Sequence, residues 1–212
     1  MAKAPAKESF SITGPAGELE ALLECPQSCD GLRIAVLCHP HPQHQGTMLN
    51  KVIHTLARAM TDMGVPALRF NFRGTGASEG EYGGGIGELD DLACVVAYVR
   101  RRWPEAELWL GGFSFGAVVS ARAATTLEAA RLISIAPAVN ILGQALTETP
   151  TMPWLVIHGD ADDVVPADEV IEWVTSLDPR PELLVLPGAG HFFHGQLVVL
   201  RELLVEWLAR TA

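Results

Sequence analysis

The sequence predicts an α/β fold in which a mainly parallel sheet of about eight strands carries helices on both faces and two antiparallel strands at its start. Three observations predict it. Short apolar runs alternate with longer helical patterns from residue 33 onward. The first run, Arg33-Ile34-Ala35-Val36-Leu37-Cys38, is unbroken, as expected of a parallel strand covered on both sides. The connections are short, which joins such strands by right-handed crossovers.

In chain order, Phe10 to Thr13 and Glu18 to Leu23 read as strands around the turn Gly14-Pro15-Ala16-Gly17, and should pair antiparallel at a sheet edge. After the run at 33–38 come a helix over about Thr47 to Met63, the strand Ala67 to Phe72, and a glycine-rich loop from Gly74 to Gly87. A helix over Glu88 to Arg102 leads to the strand Leu108 to Gly112 and a helix starting just after Ser114. Strands at Leu132 to Ile135 and Trp154 to Ile157, a helix near Ala167 to Leu177, the strand Glu182 to Leu186 and a helix near Gly195 to Arg210 complete the series. Ligands of such folds bind at the carboxyl ends of the strands.

Composition narrows the function classes. The 212 residues are 49% hydrophobic and 19% charged, which suits one folded domain over 1–212, with residues 1–8 expected to be flexible. A formal net charge of −10 disfavours a phosphate backbone as partner, so nucleic-acid binding is not expected. The basic run Arg100-Arg101-Arg102 sits where a helix ends and complements its dipole. No run approaches the roughly 20 apolar residues that span a bilayer, and the N-terminus lacks a secretory apolar segment, which points to the cytoplasm. Cys25, Cys29, Cys38 and Cys94 show neither disulfide nor zinc spacing and read as reduced thiols.

The chemistry lies at three strand ends. Gly112-Phe113-Ser114-Phe115-Gly116 matches G-x-S-x-G at a strand-to-helix turn, where flanking glycines let the serine project above the sheet as a nucleophile. A serine hydroxyl needs a base, and His191 follows the strand Leu184-Val185-Leu186 through the tight loop Pro187 to Gly190. His194 is the nearest competitor and reads as peripheral. A carboxylate must orient the imidazole, and the loop after the strand at 154–157 offers Asp160, Asp162 and Asp163. The chain order is then Ser, Asp, His.

With these motifs the chain resembles the α/β-hydrolase superfamily over nearly its whole length, in Phe72-Arg73-Gly74-Thr75-Gly76-Ala77-Ser78, Gly112 to Gly116, Asp160 to Pro166 and His191. It looks most like small capless bacterial serine hydrolases similar to dienelactone hydrolases and carboxylesterases. In that group the acid precedes two residues and then Val-Pro, a pattern that falls on Asp162, with Asp163 the alternative and Asp160 a solvated loop residue. The resemblance implies an oxyanion hole made by the N–H of Phe115 and a second N–H from the loop Cys38 to Gln43, where Pro40 and Pro42 have none. His41 is favoured over Gln43.

The implied activity is hydrolysis of a carboxylic ester or related acyl bond of a small substrate by Ser114, His191 and Asp162, with no cofactor and no metal. His39, His41 and His44 read as a rigid loop shaping the acyl pocket; Phe113, Phe115, Phe192 and Phe193 are candidates to line a modest apolar pocket, with core packing an equal reading for Phe113 and Phe115. Arg73 reads as a residue that hydrogen-bonds loop carbonyls, outside the site. Only Pro137 to Pro153 separates two strands where relatives insert a lid, so no cap domain and an open site are expected. A thioesterase, peptidase or acyltransferase would use the same residues, and a hydrolase-fold binding module without turnover is the alternative class. The sequence leaves the oligomeric state open.

Overall fold

The computed structural model describes residues 5–29, 31–140, 146 and 148–211. Among them, eight strands form one sheet: β1 (Ala6–Gly14), β2 (Gly17–Cys25), β3 (Arg33–Cys38), β4 (Ala67–Phe70), β5 (Glu107–Phe113), β6 (Arg131–Ile135), β7 (Trp154–Gly159) and β8 (Glu182–Leu186). Their order across the sheet is β1-β2-β4-β3-β5-β6-β7-β8. The first two strands form an antiparallel hairpin, β2 meets β4 antiparallel, and every later pair is parallel.

Five α-helices cover the sheet: α1 (Lys51–Asp62), α2 (Gly87–Arg102), α3 (Phe115–Ala123), α4 (Ala167–Ser176) and α5 (Leu197–Thr211). Two apolar clusters follow, one on each face. Val95 and Val99 of α2, Val119 of α3 and Trp173 of α4 pack on one side with Val36 and Leu110. Leu56 and Met60 of α1 and Leu204 and Trp207 of α5 pack on the other with Leu37 and Ile133. Alternate residues of each central strand thus face opposite helical layers, which is why those strands read as continuous apolar runs.

Among the boundaries that differ from the sequence expectation, three have a clear physical cause. β1 extends back to Ala6, into the terminal segment expected to be flexible, because its backbone pairs with β2 as far as Ala6↔Cys25 although most of its side chains are exposed. α1 starts at Lys51, four residues later than its apolar pattern, because Asn50 caps it by accepting the Val52 N–H at 2.8 Å. β4 stops at Phe70; beyond it, the Asn71 N–H still donates to the Glu20 carbonyl at 2.8 Å before the chain turns into the glycine-rich loop. Among the described residues no helix is long and apolar enough to cross a membrane. All four cysteines are free.

Candidate active site

β5 ends at Phe113 and α3 begins at Phe115, leaving Ser114 alone to make the turn. Its backbone sits at φ 55° and ψ −117°, a conformation an L-residue holds only when its surroundings enforce it. The enforcement is a Ser114 N–H bond to the Ile135 carbonyl at 2.8 Å, and bonds from the Ala117 and Ala138 N–H groups to the Ser114 carbonyl at 3.1 and 3.2 Å. Close approach forbids a side chain two residues before the serine, since a Cβ on Gly112 would stand 2.3 Å from the Gly116 carbonyl carbon and oxygen.

His191 arrives on the loop after β8, and that loop is clamped to the end of β7. A Cβ on Gly159 would lie 2.0 Å from the Ala189 carbonyl oxygen, and the Gly188 N–H donates to Asp160 Oδ1 at 2.6 Å. The buried imidazole rests against the Phe113 ring, centroids 5.0 Å apart.

Asp162 completes the cluster. Its Oδ1 accepts the N–H groups of Val164 and Val165 at 2.9 and 2.8 Å, and its Oδ2 lies 2.7 Å from His191 Nδ1. Burial alone would raise its pKa; the hydrogen bonds from His191, Val165 and Val164, with the histidine's charge, outweigh burial and hold it below the usual carboxylate range. An ionised carboxylate only accepts, so Nδ1 carries the His191 proton that faces Asp162, while Nε2 is directed at Ser114 Oγ at 3.0 Å. Asp163, the neighbouring alternative, is exposed.

Behind Asp162 stands His158. Its Nε2–H donates to the Val165 carbonyl at 3.0 Å, while Nδ1 is buried without a partner. That pattern requires a neutral ring, and burial pushes its pKa down. His158 thereby braces the turn whose two N–H groups hold Asp162.

The loop after β3 closes the other side. The Phe72 N–H donates to His39 Nε2 at 3.0 Å, so the ring proton sits on Nδ1, which donates to the Pro40 carbonyl at 2.6 Å. Burial pushes the His39 pKa down to about 4. His41 Nδ1 accepts the Gln43 N–H at 3.2 Å, leaving its Nε2–H to the Tyr82 hydroxyl oxygen at 3.1 Å. Burial and the neighbouring His44 lower the His41 pKa. The imidazole nitrogens of His39 and His41 are thus fully engaged, within the loop and with Phe72 and Tyr82 beyond it. The Phe115 and His41 rings lie 5.0 Å apart, and Phe115 opens α3, so its N–H has no acceptor within the helix.

Ser114, His191 and His41 open onto a cleft of about 520 Å³. Its walls differ: His44, Gln45 and Asn50 are polar, while Val164 and Phe192 are apolar and exposed. Of the four candidate phenylalanines, Phe192 lines the cleft; Phe113 and Phe115 take their alternative place in the core, and Phe193, a pocket candidate, is fully buried there too. His194 is exposed, with its ring 5.9 Å from that of Phe192.

One expectation needs correction. Arg73 does not bind loop carbonyls: its Nε and Nη2 grip the carboxylate of Asp91 at 3.0 and 2.7 Å, because Asp91 is a fully buried carboxylate on α2 that requires a cation. Asp160 is an exposed turn residue, as expected, and it also ties the loop of Asp162 to the loop that carries His191. Of the segment Pro137 to Pro153, where relatives insert a lid and no cap is expected here, residues 141–145 and 147 lie outside the described residues.

Among the described residues, an eight-stranded, mainly parallel sheet with a strained serine at a strand-to-helix turn and no cap domain defines an α/β serine hydrolase of the lidless kind. Residues 34–147 match the family described as serine aminopeptidase, S33, and the chain belongs to that family. An uncharacterized protein of Rickettsia prowazekii (strain Madrid E) is 32% identical over 193 residues, covering 86% of this chain and 80% of its own. Among solved structures, an α-β serine hydrolase homologue from Coxiella burnetii is 46% identical, with 94% of this chain and 96% of that one covered at a TM-score of 0.90. An α/β serine hydrolase without lid from Xanthomonas campestris is 40% identical, with 96% and 94% covered at 0.91.

Proposed function

We propose that this α/β serine hydrolase is an esterase that cleaves carboxylic esters of small substrates through Ser114, His191 and Asp162. The observation that carries this is the unbroken path from Ser114 Oγ to His191 Nε2 at 3.0 Å and from His191 Nδ1 to Asp162 Oδ2 at 2.7 Å, at the floor of an accessible cleft.

Ser114 Oγ attacks the ester carbonyl carbon as its proton passes to His191 Nε2. The carbonyl π electrons move onto oxygen, and the N–H groups of Phe115 and His41 hold that oxyanion. Asp162 keeps the imidazole in the tautomer able to receive the proton and stabilises the imidazolium. Collapse breaks the bond to the leaving oxygen, which takes the proton from His191, and leaves an acyl-serine. Water then attacks with His191 again as base, releasing the acid and restoring Ser114.

Esters are favoured over peptides with a free amino terminus by the cleft's own chemistry. An α-ammonium needs a carboxylate partner, whereas among the described residues the cleft presents imidazole and amide groups, and the Asp162 side chain is fully buried. The proposed setting is one domain over the whole chain, in the cytoplasm, where four free thiols are at home.

The test is hydrolysis of p-nitrophenyl acetate and butyrate beside an aminoacyl p-nitroanilide. Turnover of the esters, lost in Ser114→Ala, is the expected result; turnover of the anilide alone overturns the ester assignment. A folded wild type that cleaves neither overturns enzymatic function altogether.

A further inference from the structure

An ester brings two halves to a cleft, and the path of the proton decides which half meets which wall. When the tetrahedral intermediate collapses, the leaving oxygen must receive its proton from His191 Nε2, so it has to come within roughly 2.6–3.2 Å of that nitrogen. The oxyanion points away from it, toward the N–H groups of Phe115 and His41. Whatever is bonded to the leaving oxygen therefore extends over the side chains around His191.

Those side chains are Phe192 and Val164. The Phe192 ring meets the His191 ring edge-on at 5.1 Å, and Val164 stands in the turn that holds Asp162. Both line the cleft, yet they remain 43% and 46% exposed, while Phe193 and Val165, next to each in the chain, are fully buried. Large apolar side chains left in water on one wall of a cleft offer their surface to a ligand rather than to the core. The facing wall of His44, Gln45 and Asn50 offers no such surface.

We infer that Phe192 and Val164 form a leaving-group subsite that selects esters of apolar alcohols, alkyl or aryl. The inference rests on the esterase assignment above. In the step it governs, the Ser114 Oγ to carbonyl carbon bond persists, the carbon to alkoxy oxygen bond breaks, and the alcohol leaves with the proton from His191.

Acetates of ethanol, butanol, hexanol and benzyl alcohol test it, because all four give the same acetyl-enzyme and differ only in acylation. Ethyl acetate, butyrate and hexanoate form the matching acyl series. Wild-type kcat/KM should rise along the alcohol series. Phe192→Ala should reduce the preference for hexyl or benzyl over ethyl acetate about tenfold, Val164→Thr should reduce it without changing side-chain shape, and the order within the acyl series should be kept. A flat alcohol series in wild type, or variants that alter the acyl order and leave the alcohol preference intact, would overturn the subsite. Failure of wild type to hydrolyse either series, with no acetyl-enzyme by intact mass, would instead remove the esterase assignment and the subsite with it.

Discussion

A Cβ on Gly116 would stand 2.3 Å from the carbonyl oxygen of Cys38. The first turn of α3 therefore leans directly on the end of β3, and this contact sets the Phe115 N–H beside the loop that carries His41. Gly116→Ala should force the two apart and lower kcat by about 10²-fold or more, the range seen when an oxyanion donor is lost. Steady-state kinetics on a short ester with a thermal melt checks this; an active variant would mean that the approach does not shape the site.

Asp162 and Asp163 adjoin in the chain and differ completely in surroundings. Asn at 162 still offers an oxygen to the N–H groups of Val164 and Val165, but its amide would face His191 Nδ1 with a donor and reverse the tautomer. Asp162→Asn should thus lower kcat about 10⁴-fold with the fold intact. Asp163→Asn should leave kcat within about threefold, as expected of an exposed residue. Equal losses in both would contradict the assignment of the acid.

Much of this was legible in the sequence. Unbroken apolar runs revealed the strands because helices cover both faces, and Ser114 and His191 stood out because each follows a strand amid turn-forming glycines. The carboxylate was less legible: Asp160, Asp162 and Asp163 follow the same strand, and spacing alone does not separate them. The supporting residues carried no local signal. Tyr82 reaches His41 from 41 positions away, Asp91 meets Arg73 from the buried face of a helix, and His158, just past the strand read at 154–157, belongs to β7. β1 was underestimated because an edge strand is held by its backbone, and its polar side chains leave little pattern to read.

The hydroxyl of Tyr82 is the partner of His41 Nε2. Tyr82→Phe removes one hydrogen bond and keeps the ring, so kcat should fall about threefold to tenfold, matching the net worth of such a bond, with KM nearly unchanged. A change in KM alone would make Tyr82 a substrate contact instead of a brace for the loop.

Stability should decline on mild acidification. His39 is neutral in the fold down to about pH 4, whereas an unfolded chain protonates its histidines near the ordinary value of 6.5. The unfolded state therefore binds more protons between those limits, and stability, complete above about 6.5, falls as pH drops toward 4. His158 is lowered in the same direction. Each contributes a slope of at most about 1.4 kcal/mol per pH unit. Asp162, held low, adds its loss only at more acidic pH. Denaturant titrations between pH 7.5 and 4.5 measure this; constant stability would contradict the buried neutral histidines.

The most direct test of the account is reaction with a fluorophosphonate probe, read by intact mass on wild type, Ser114→Ala and His191→Ala. A single stoichiometric adduct on wild type, absent from both folded variants, is the predicted result. A folded wild type that forms no adduct, or an adduct that persists in Ser114→Ala, would contradict the claim that Ser114 is a nucleophile activated by His191.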